Sequence, residues 1–366
     1  MAQVTLGDVA IESRETYKGD KSGMPIVGLE HLIPEDVVLS LWDRDKENTF
    51  TKMFRKGDML FGRRRAYLKK AAQAPFDGIC SGDITVIRAK EDRLIPELLP
   101  FIIQNDVLFD FAVGKSAGSL SPRVKWENLK NYKFELPPLP EQKKLAEALW
   151  AINDTLQAYQ KLLIETDELV KSQFIEMFGK RDGAIYCTLE ECCVSVTGGS
   201  TPSMKHEEYY GGEVPFIKSG DVKADYVSSG ALWLTQRALD ETTAKYVPAG
   251  TVVVVTRSGI LKHDLPVAIT SNPVVINQDL KAFEPKPEFS PQYIAWAIRS
   301  REDELLSKTR VMTVDNIESK DLYEIPVMIA SREDQEQFAA FVRLSDKSKF
   351  ANLMCSNLNL WSSLPL

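Results

Sequence analysis

The chain has 366 residues, 44% hydrophobic and 27% charged, with a formal net charge of −7. That is too long for one small core and too apolar for a disordered chain, so two or three folded domains are expected. No run of 18 apolar residues occurs, no basic patch followed by an apolar core opens the chain, and the five cysteines are odd in number and irregularly spaced; these features argue against a membrane span, a signal peptide and a disulfide framework, and for a cytoplasmic protein.

The first 138 residues carry 21 lysines and arginines against 20 acids. Within them "GDMLFGRRR", from Gly57, reads as a turn and then a strand. It runs into "GRRRAYLKK", Gly62 to Lys70, the most basic stretch of the chain. On a strand, Arg63 and Arg65 would point to one face and Arg64 to the other. "IPELLPFIIQNDVLFDFA", from Ile95, has helical apolar periodicity, and "YKFELP", from Tyr132, is a short closing strand.

Three prolines, Pro137, Pro138 and Pro140, end this unit, and a long helical pattern opens at Glu141. Apolar positions fall at Leu145, Leu149, Ile152, Leu156, Tyr159 and Leu163, in steps of 4, 3, 4, 3 and 4, and Thr166, Val170, Gln173 and Met177 continue the series. Such alternation is the mark of a coiled-coil seam. Pro140 suits the helix start and Gly179 its end. The spacer segment is 139–180, and its helix from Glu141 to Phe178 would be roughly 57 Å long at about 1.5 Å per residue.

A second mixed unit, 181–330, follows; from Asp182 to Ala330 it holds 14 basic against 21 acidic residues. Any contact with nucleic acid is therefore local, or shared with a more basic partner. "GTVVVVTRS", from Gly250, is again a turn and a strand; "SPQYIAWAIRSREDELLS", from Ser290, reads as a helix, and "LYEIP", from Leu322, as a closing strand. The last segment, 331–366, holds a second helix from Glu333 to about Leu360. Its apolar residues are Phe338, Phe341, Val342, Leu344, Leu353 and Leu358, interrupted by Ser345, Lys347 and Lys349. The two helices are expected to bury their seams on each other, antiparallel, and to space two like units.

The halves repeat one another. "VTLGDVAIESRET" matches "CTLEECCVSVTGG", "MPIVGLEHL" matches "VPFIKSGDV", and "CSGDITVIRAK" matches "INQDLKAFEPK". Six such blocks recur in the same order at an offset of about 190 residues, which is a tandem duplication of a whole domain.

The order of unit, "LPPLPEQKKLAEAL" helix ending in "LVKSQFIEMFG", second unit and second helix, with the phrases "TGGSTPS" and "YYGGEVPFIKSGDV", resembles the specificity subunit of type I restriction–modification enzymes. The resemblance implies an α+β fold: two duplicated target-recognition domains of mixed α/β structure, separated by two long antiparallel coiled-coil helices. It further implies a non-catalytic subunit that reads a bipartite site in double-stranded DNA and recruits modification (M) and restriction (R) subunits. S-adenosylmethionine, ATP and magnesium would then belong to those partners, and none would be bound by this chain.

Candidate DNA contacts follow from arginine's fit to guanine and lysine's to phosphate. They are Arg63, Arg64, Arg65 and Lys69, beside Lys70 and Tyr67; Lys115 and Arg123 in "KSAGSLSPRVKW"; Thr201, Ser203 and Lys205 in the loop after "GGSTPS" begins; Lys218; and Arg257 and Lys262 in "TRSGILKH". The bland readings are a solvated charged strand and ordinary turn-rich loops. Three rival functions compete with this reading. A methyltransferase would need an Asn/Asp-Pro-Pro-aromatic motif, and the Pro-Pro pair here is flanked by leucines. A nuclease reading of Asp279, Glu284 and Lys286 fails across the repeat, where Asp83 recurs but Arg88 stands in for Glu284; a structural Asp at a strand start is expected instead. A coiled-coil assembly adaptor, or the specificity domain of a related methylation or phage-defence system, is the alternative. Cys187, Cys192 and Cys193 lack a Cys-x-x-Cys spacing and are expected as buried free thiols, with no metal.

Overall fold

Short apolar runs between glycines, prolines and charged turns divide the first unit into ten strands. They are β1 (Ala2–Thr5), β2 (Ala10–Ser13), β3 (Pro25–Val27), β4 (Asp43–Arg44), β5 (Lys52–Phe54), β6 (Met59–Gly62), β7 (Ala71–Gln73), β8 (Gly78–Cys80), β9 (Ile84–Ala89) and β10 (Lys133–Leu136). The computed structural model describes residues 2–311 and 315–356 and divides into units based on Met1–Lys161 and Leu162–Asn352.

In the first unit, one antiparallel sheet runs β2-β9-β6-β7, a second runs β4-β3-β8-β5 with β3 and β8 parallel, and β1 pairs with β10. Strand β6 is buried on both faces. Met59 and Phe61 point into the main core with Phe101 and Phe109, whereas Leu60 joins a smaller core with Phe54 and Val86, the two-residue period of a central strand.

The second unit repeats this path. Its strands are β11 (Tyr186–Thr188), β12 (Cys193–Gly198), β13 (Tyr210–Ile217), β14 (Tyr226–Val227), β15 (Leu232–Leu234), β16 (Tyr246–Val247), β17 (Val252–Val255), β18 (Val267–Thr270), β19 (Val274–Ile276) and β20 (Leu280–Pro285). The sheets run β12-β20-β17-β18-β14 and β15-β13-β19-β16, and β11 pairs with a closing strand, Pro326–Met328. The parallel pair β13–β19 stands where β3–β8 stands in the first unit. The duplication seen in the sequence is thus a duplication of strand order and direction.

Helix Leu139–Phe178 is unbroken for 40 residues, about 60 Å at 1.5 Å per residue. The stripe predicted from its 3-4 steps is its shielded face: Leu149 and Val170 are buried, and Leu145, Ile152, Leu156, Tyr159 and Leu163 are half-buried. The boundary between the two units falls within this helix, not at its ends. Within the second unit, Phe174 and Phe178 pack against Tyr293 and against Phe338 of the second helix, Arg332–Ser356. Gly179 ends the long helix because any Cβ there would stand 2.3 Å from the carbonyl oxygen of Ile175. Leu358 lies outside the described residues, as does the side chain of Leu353.

Four sequence expectations are corrected. The basic run is not part of a strand: β6 stops at Gly62, so Arg63 and Arg65 do not alternate with Arg64 across a sheet. The helix read from Ile95 is a 3-10 turn, Pro96–Leu98, followed by helices Leu99–Ile103 and Asp106–Gly114. Buried Asn105 makes that break, because its side-chain oxygen accepts the Val107 N–H at 2.9 Å as an N-cap. The stretch from Ser290 likewise divides, into Pro291–Arg299 and Glu302–Ser307. The second closing strand begins at Pro326, after "LYEI", and its proline sits at a strand start, where no ladder donor is needed.

Candidate nucleic-acid interface

The basic run of the first unit folds as a strained loop. Beyond β6, the Arg63 N–H donates to the Asp83 carbonyl at 3.0 Å, and the Arg63 carbonyl accepts the Val124 N–H at 2.9 Å. Arg65 and Lys69 then adopt left-handed backbone conformations, with φ of 54° and 50°, on either side of a 3-10 turn, Ala66–Leu68. For residues with a Cβ this costs about 1–2 kcal/mol each, and tertiary bonds hold it. The Arg65 N–H donates to the Pro122 carbonyl at 2.8 Å, and the Lys69 ammonium donates to Asp106 at 2.5 Å. That bond to Asp106 raises the affinity of Lys69 for its proton.

Asp83 gathers the arginines. Arg123 donates to both its oxygens, at 2.7 and 3.3 Å, and the Arg64 guanidinium lies 3.6 Å away while its Nε donates to the Ser121 hydroxyl at 2.6 Å. The Arg123 hydrogen bond, and then the charges of Arg123, Arg64 and Arg63, hold the Asp83 carboxyl below its ordinary range despite some desolvation. One carboxylate facing three guanidiniums leaves the cluster positive. Arg63 contributes mainly through its backbone and charge, and its Nε is buried without a hydrogen-bond partner. Arg65 is exposed at the tip. Lys115, also exposed, lies at the end of helix Asp106–Gly114 with its ammonium 5.8 Å from the Phe111 ring.

In the second unit the candidates converge on the turn 277–279. The Asn277 N–H donates to the Ile217 carbonyl at 3.0 Å, which places Lys218 beside the turn; the Thr256 and Arg257 N–H groups reach the Asp279 carbonyl at 2.8 and 3.3 Å; and the Thr201 hydroxyl donates to the Gln278 side chain. The "TGGSTPS" loop can seat there only through glycine: a Cβ on Gly199 would come within 2.2 Å of the carbonyl oxygens of both Ile276 and Asn277. Arg257 and Lys262 are exposed on the following turn, and Lys262 lies 3.9 Å from buried Asp315. Ser203 and Lys205 are exposed further along the loop, where Ser203 Oγ accepts the Lys205 N–H at 3.4 Å.

The two tips share one backbone scaffold. Arg64 bridges Arg123 as Arg257 bridges Asn316, and the Ile317 N–H reaches the Thr256 carbonyl as Val124 reaches Arg63. The sequence did not single out Ser121 or Gln278, since nothing in their local patterns marks them. The acids Asp279 and Glu284 do other work. Asp279 accepts from the Asn277 amide at 2.9 Å and Glu284 from the Ser195 hydroxyl at 2.8 Å, while Arg88 in the first unit pairs with Asp58 and Glu15.

Among the described residues, one group of side chains is close enough to hold a metal ion: Glu30, His31 and Asp43. His31 Nδ1 accepts the Gly28 N–H at 2.9 Å, the same service that Asp221 gives the Lys218 N–H at 2.8 Å, so the duplicate identifies His31 as a turn cap. Cys80, Cys187, Cys192 and Cys193 are free, and burial pushes the thiols of Cys80 and Cys193 up to about 12.

The family described as type I restriction modification DNA specificity domain matches the chain twice, over residues 1–166 and 186–352. A 153-residue stretch is 31% identical to the Escherichia coli type I restriction enzyme EcoR124I/EcoR124II specificity subunit, covering 41% of this chain and 37% of the relative. Another, of 156 residues, is 29% identical to the Methanocaldococcus jannaschii MjaIX specificity subunit, covering 41% and 35%. The chain thus spans little more than a third of the length of these relatives. Among solved structures, the fold is similar to a type I restriction–modification S subunit from M. genitalium, with a TM-score of 0.54 at 13% identity over 98% of this chain and 93% of the other. It is also similar to a chain solved in work on complex assembly and conformational transition of the type I restriction–modification system, with a TM-score of 0.52 at 22% identity over 97% and 93%.

Proposed function

Since the chain belongs to the type I restriction modification DNA specificity domain family through both of its units, we propose that it is the non-catalytic DNA-recognition subunit of such a system, each unit reading half of a bipartite duplex site. The observation that carries this reading is the repeated tip: Arg64 and Arg257 stand at equivalent points of equivalent scaffolds, in units whose overall charge does not otherwise favour DNA. Arg64, Arg65, Arg123, Arg257 and Lys262 supply the forks and point charges that base edges and phosphates require. Lys69, Lys115, Thr201, Ser203, Lys205 and Lys218 are proposed as the flanking contacts. Two tips of one construction with different side chains are the single-chain counterpart of a dimer on a palindrome, and they allow the half-sites to differ.

The remaining proposals concern assembly. The unbroken helix Leu139–Phe178, with its shielded 3-4 stripe, supports a gauge for the gap between half-sites, paired antiparallel with the second helix. Modification and restriction subunits are the proposed partners, and S-adenosylmethionine, ATP and magnesium are assigned to them. The test is selection of the full chain on random-sequence duplexes at graded salt. Recovery of two separated short motifs, with binding that falls as salt rises, is expected. Absence of any motif, with salt-independent or no binding, would mark a protein-assembly adaptor instead.

A further inference from the structure

Each basic tip pushes a large apolar side chain into solvent: Tyr67 is 55% exposed, with Leu68 beside it at 41%, and Ile260 is 43% exposed. Tyr67 and Ile260 occupy the same place. In each unit a bond from the fourth to the first residue of the segment closes the turn beneath the side chain: Leu68 N–H to Arg65 carbonyl at 2.9 Å, and Leu261 N–H to Ser258 carbonyl at 3.2 Å. A second bond anchors that first residue to the chain behind it, Arg65 to Pro122 at 2.8 Å and Ser258 to Asp315 at 3.2 Å. Ala66 is buried under the first turn and Leu261 under the second, whereas Leu68, at the place of Leu261, is exposed. A side chain displayed by the same brace in both copies, and held there in the first by two left-handed residues, is not a loose apolar residue on a surface.

Its surroundings identify the occupant. Tyr67 follows Arg64 and Arg65 in the chain, and Arg64 bridges the Asp83-bound Arg123; Ile260 lies between Arg257 and Lys262. A protein partner would call for a broader apolar patch. A narrow apolar prong among cations, Ile260 in the second unit and Tyr67 with Leu68 beside it in the first, suits a ligand that is polyanionic outside and apolar between flat layers inside, which is duplex DNA. Resting on the proposed DNA-recognition role, the geometry points to Tyr67 and Ile260 as wedges that enter between neighbouring base pairs, one in each half-site, and unstack them while the flanking cations hold the phosphates. Part of the sequence preference of each unit then comes from how readily a base step opens, beyond hydrogen bonds to base edges.

The experiment uses the full chain and the duplex recovered by its own selection from random sequence. Potassium permanganate, which oxidises unstacked thymines, is applied to the bound duplex, with thymine placed in turn at each step of both half-sites. For the unsubstituted chain a reactive step is expected in each half-site. Tyr67→Ala should abolish reactivity in one half-site only and Ile260→Ala in the other, each weakening binding about tenfold or more. An abasic position at the same step should restore the lost affinity, and Tyr67→Phe should behave as the unsubstituted chain. If the chain selects its bipartite site but no thymine becomes reactive, or the alanine variants bind as tightly and react as before, the wedge assignment is wrong while the recognition role stands. If no site is selected at all, both fall together.

Discussion

Gln142 and Gln335 make the same three hydrogen bonds 193 positions apart. Each is the fourth residue of its long helix and is buried. The Gln142 side-chain oxygen accepts the Ile95 N–H at 2.9 Å, and its amide donates to the Arg93 and Pro137 carbonyls at 3.2 and 2.9 Å. Gln335 accepts from Ser290 at 2.9 Å and donates to Glu288 and Ala330 at 3.0 and 3.2 Å. The glutamine bolts the first helical turn to the domain before it, which explains why an abrupt strand-to-helix junction occurs once per repeat.

Replacing Gln142 by Ala strands a buried donor and two buried acceptors. A loss of about 1–3 kcal/mol is expected, read as a lower urea midpoint with an unchanged slope. Gln142→Glu should be worse at neutral pH, because a carboxylate cannot donate to the Arg93 and Pro137 carbonyls.

Gly199→Ala drives a methyl group into two carbonyl oxygens at 2.2 Å, so the Gly/Ser/Thr loop must lift from the 277–279 turn. A destabilisation of about 1–3 kcal/mol is expected. Amide exchange of Ser200, whose N–H donates to the Ile276 carbonyl at 3.1 Å, should accelerate. Unchanged exchange would show that the loop is not seated as described.

Asp83 has a pH signature of known sign. Its folded-state pKa lies below the ordinary value of 3.8, chiefly through Arg123. Its charge therefore adds stability above the ordinary value, and that contribution is lost as pH falls through the lowered folded value. Urea midpoints of the unsubstituted chain should exceed those of Asp83→Asn near pH 6, and the difference should shrink toward zero in strong acid.

Arg65→Ala and Arg257→Ala remove exposed tip cations without opening a core. If either fork reads a base, affinity for the selected duplex should fall by about 1–3 kcal/mol, with relaxed preference at one position. If it holds a phosphate, binding should weaken on all sequences and the salt slope should drop by about 1. Equal affinity at physiological salt would remove that arginine from the interface.

What the sequence made legible was whatever depends on pattern. The seam of Leu145 to Leu163 follows from spacing alone, and the repeat from the order of six blocks. What stayed hidden depends on long-range bonds. Arg63 to Arg65 read as a strand because strand and loop share the same local composition; only the Asp83 carbonyl, the Pro122 carbonyl and the left-handed Arg65 turn the run aside. Asn105 is invisible as a helix breaker inside an apolar stretch until its side chain is seen capping Val107. Gln142 and Gln335 carry no sequence mark of their role, since nothing local distinguishes a buried glutamine from a solvated one.

The struts beneath each tip run between main-chain atoms: Leu68 to Arg65, Arg65 to Pro122, Leu261 to Ser258, Ser258 to Asp315. Such struts are indifferent to which side chains they display. The letters at 67, 257 and 260 can therefore drift or be exchanged between relatives without refolding the loop, and a new target could be acquired by editing the tip while its architecture is inherited intact.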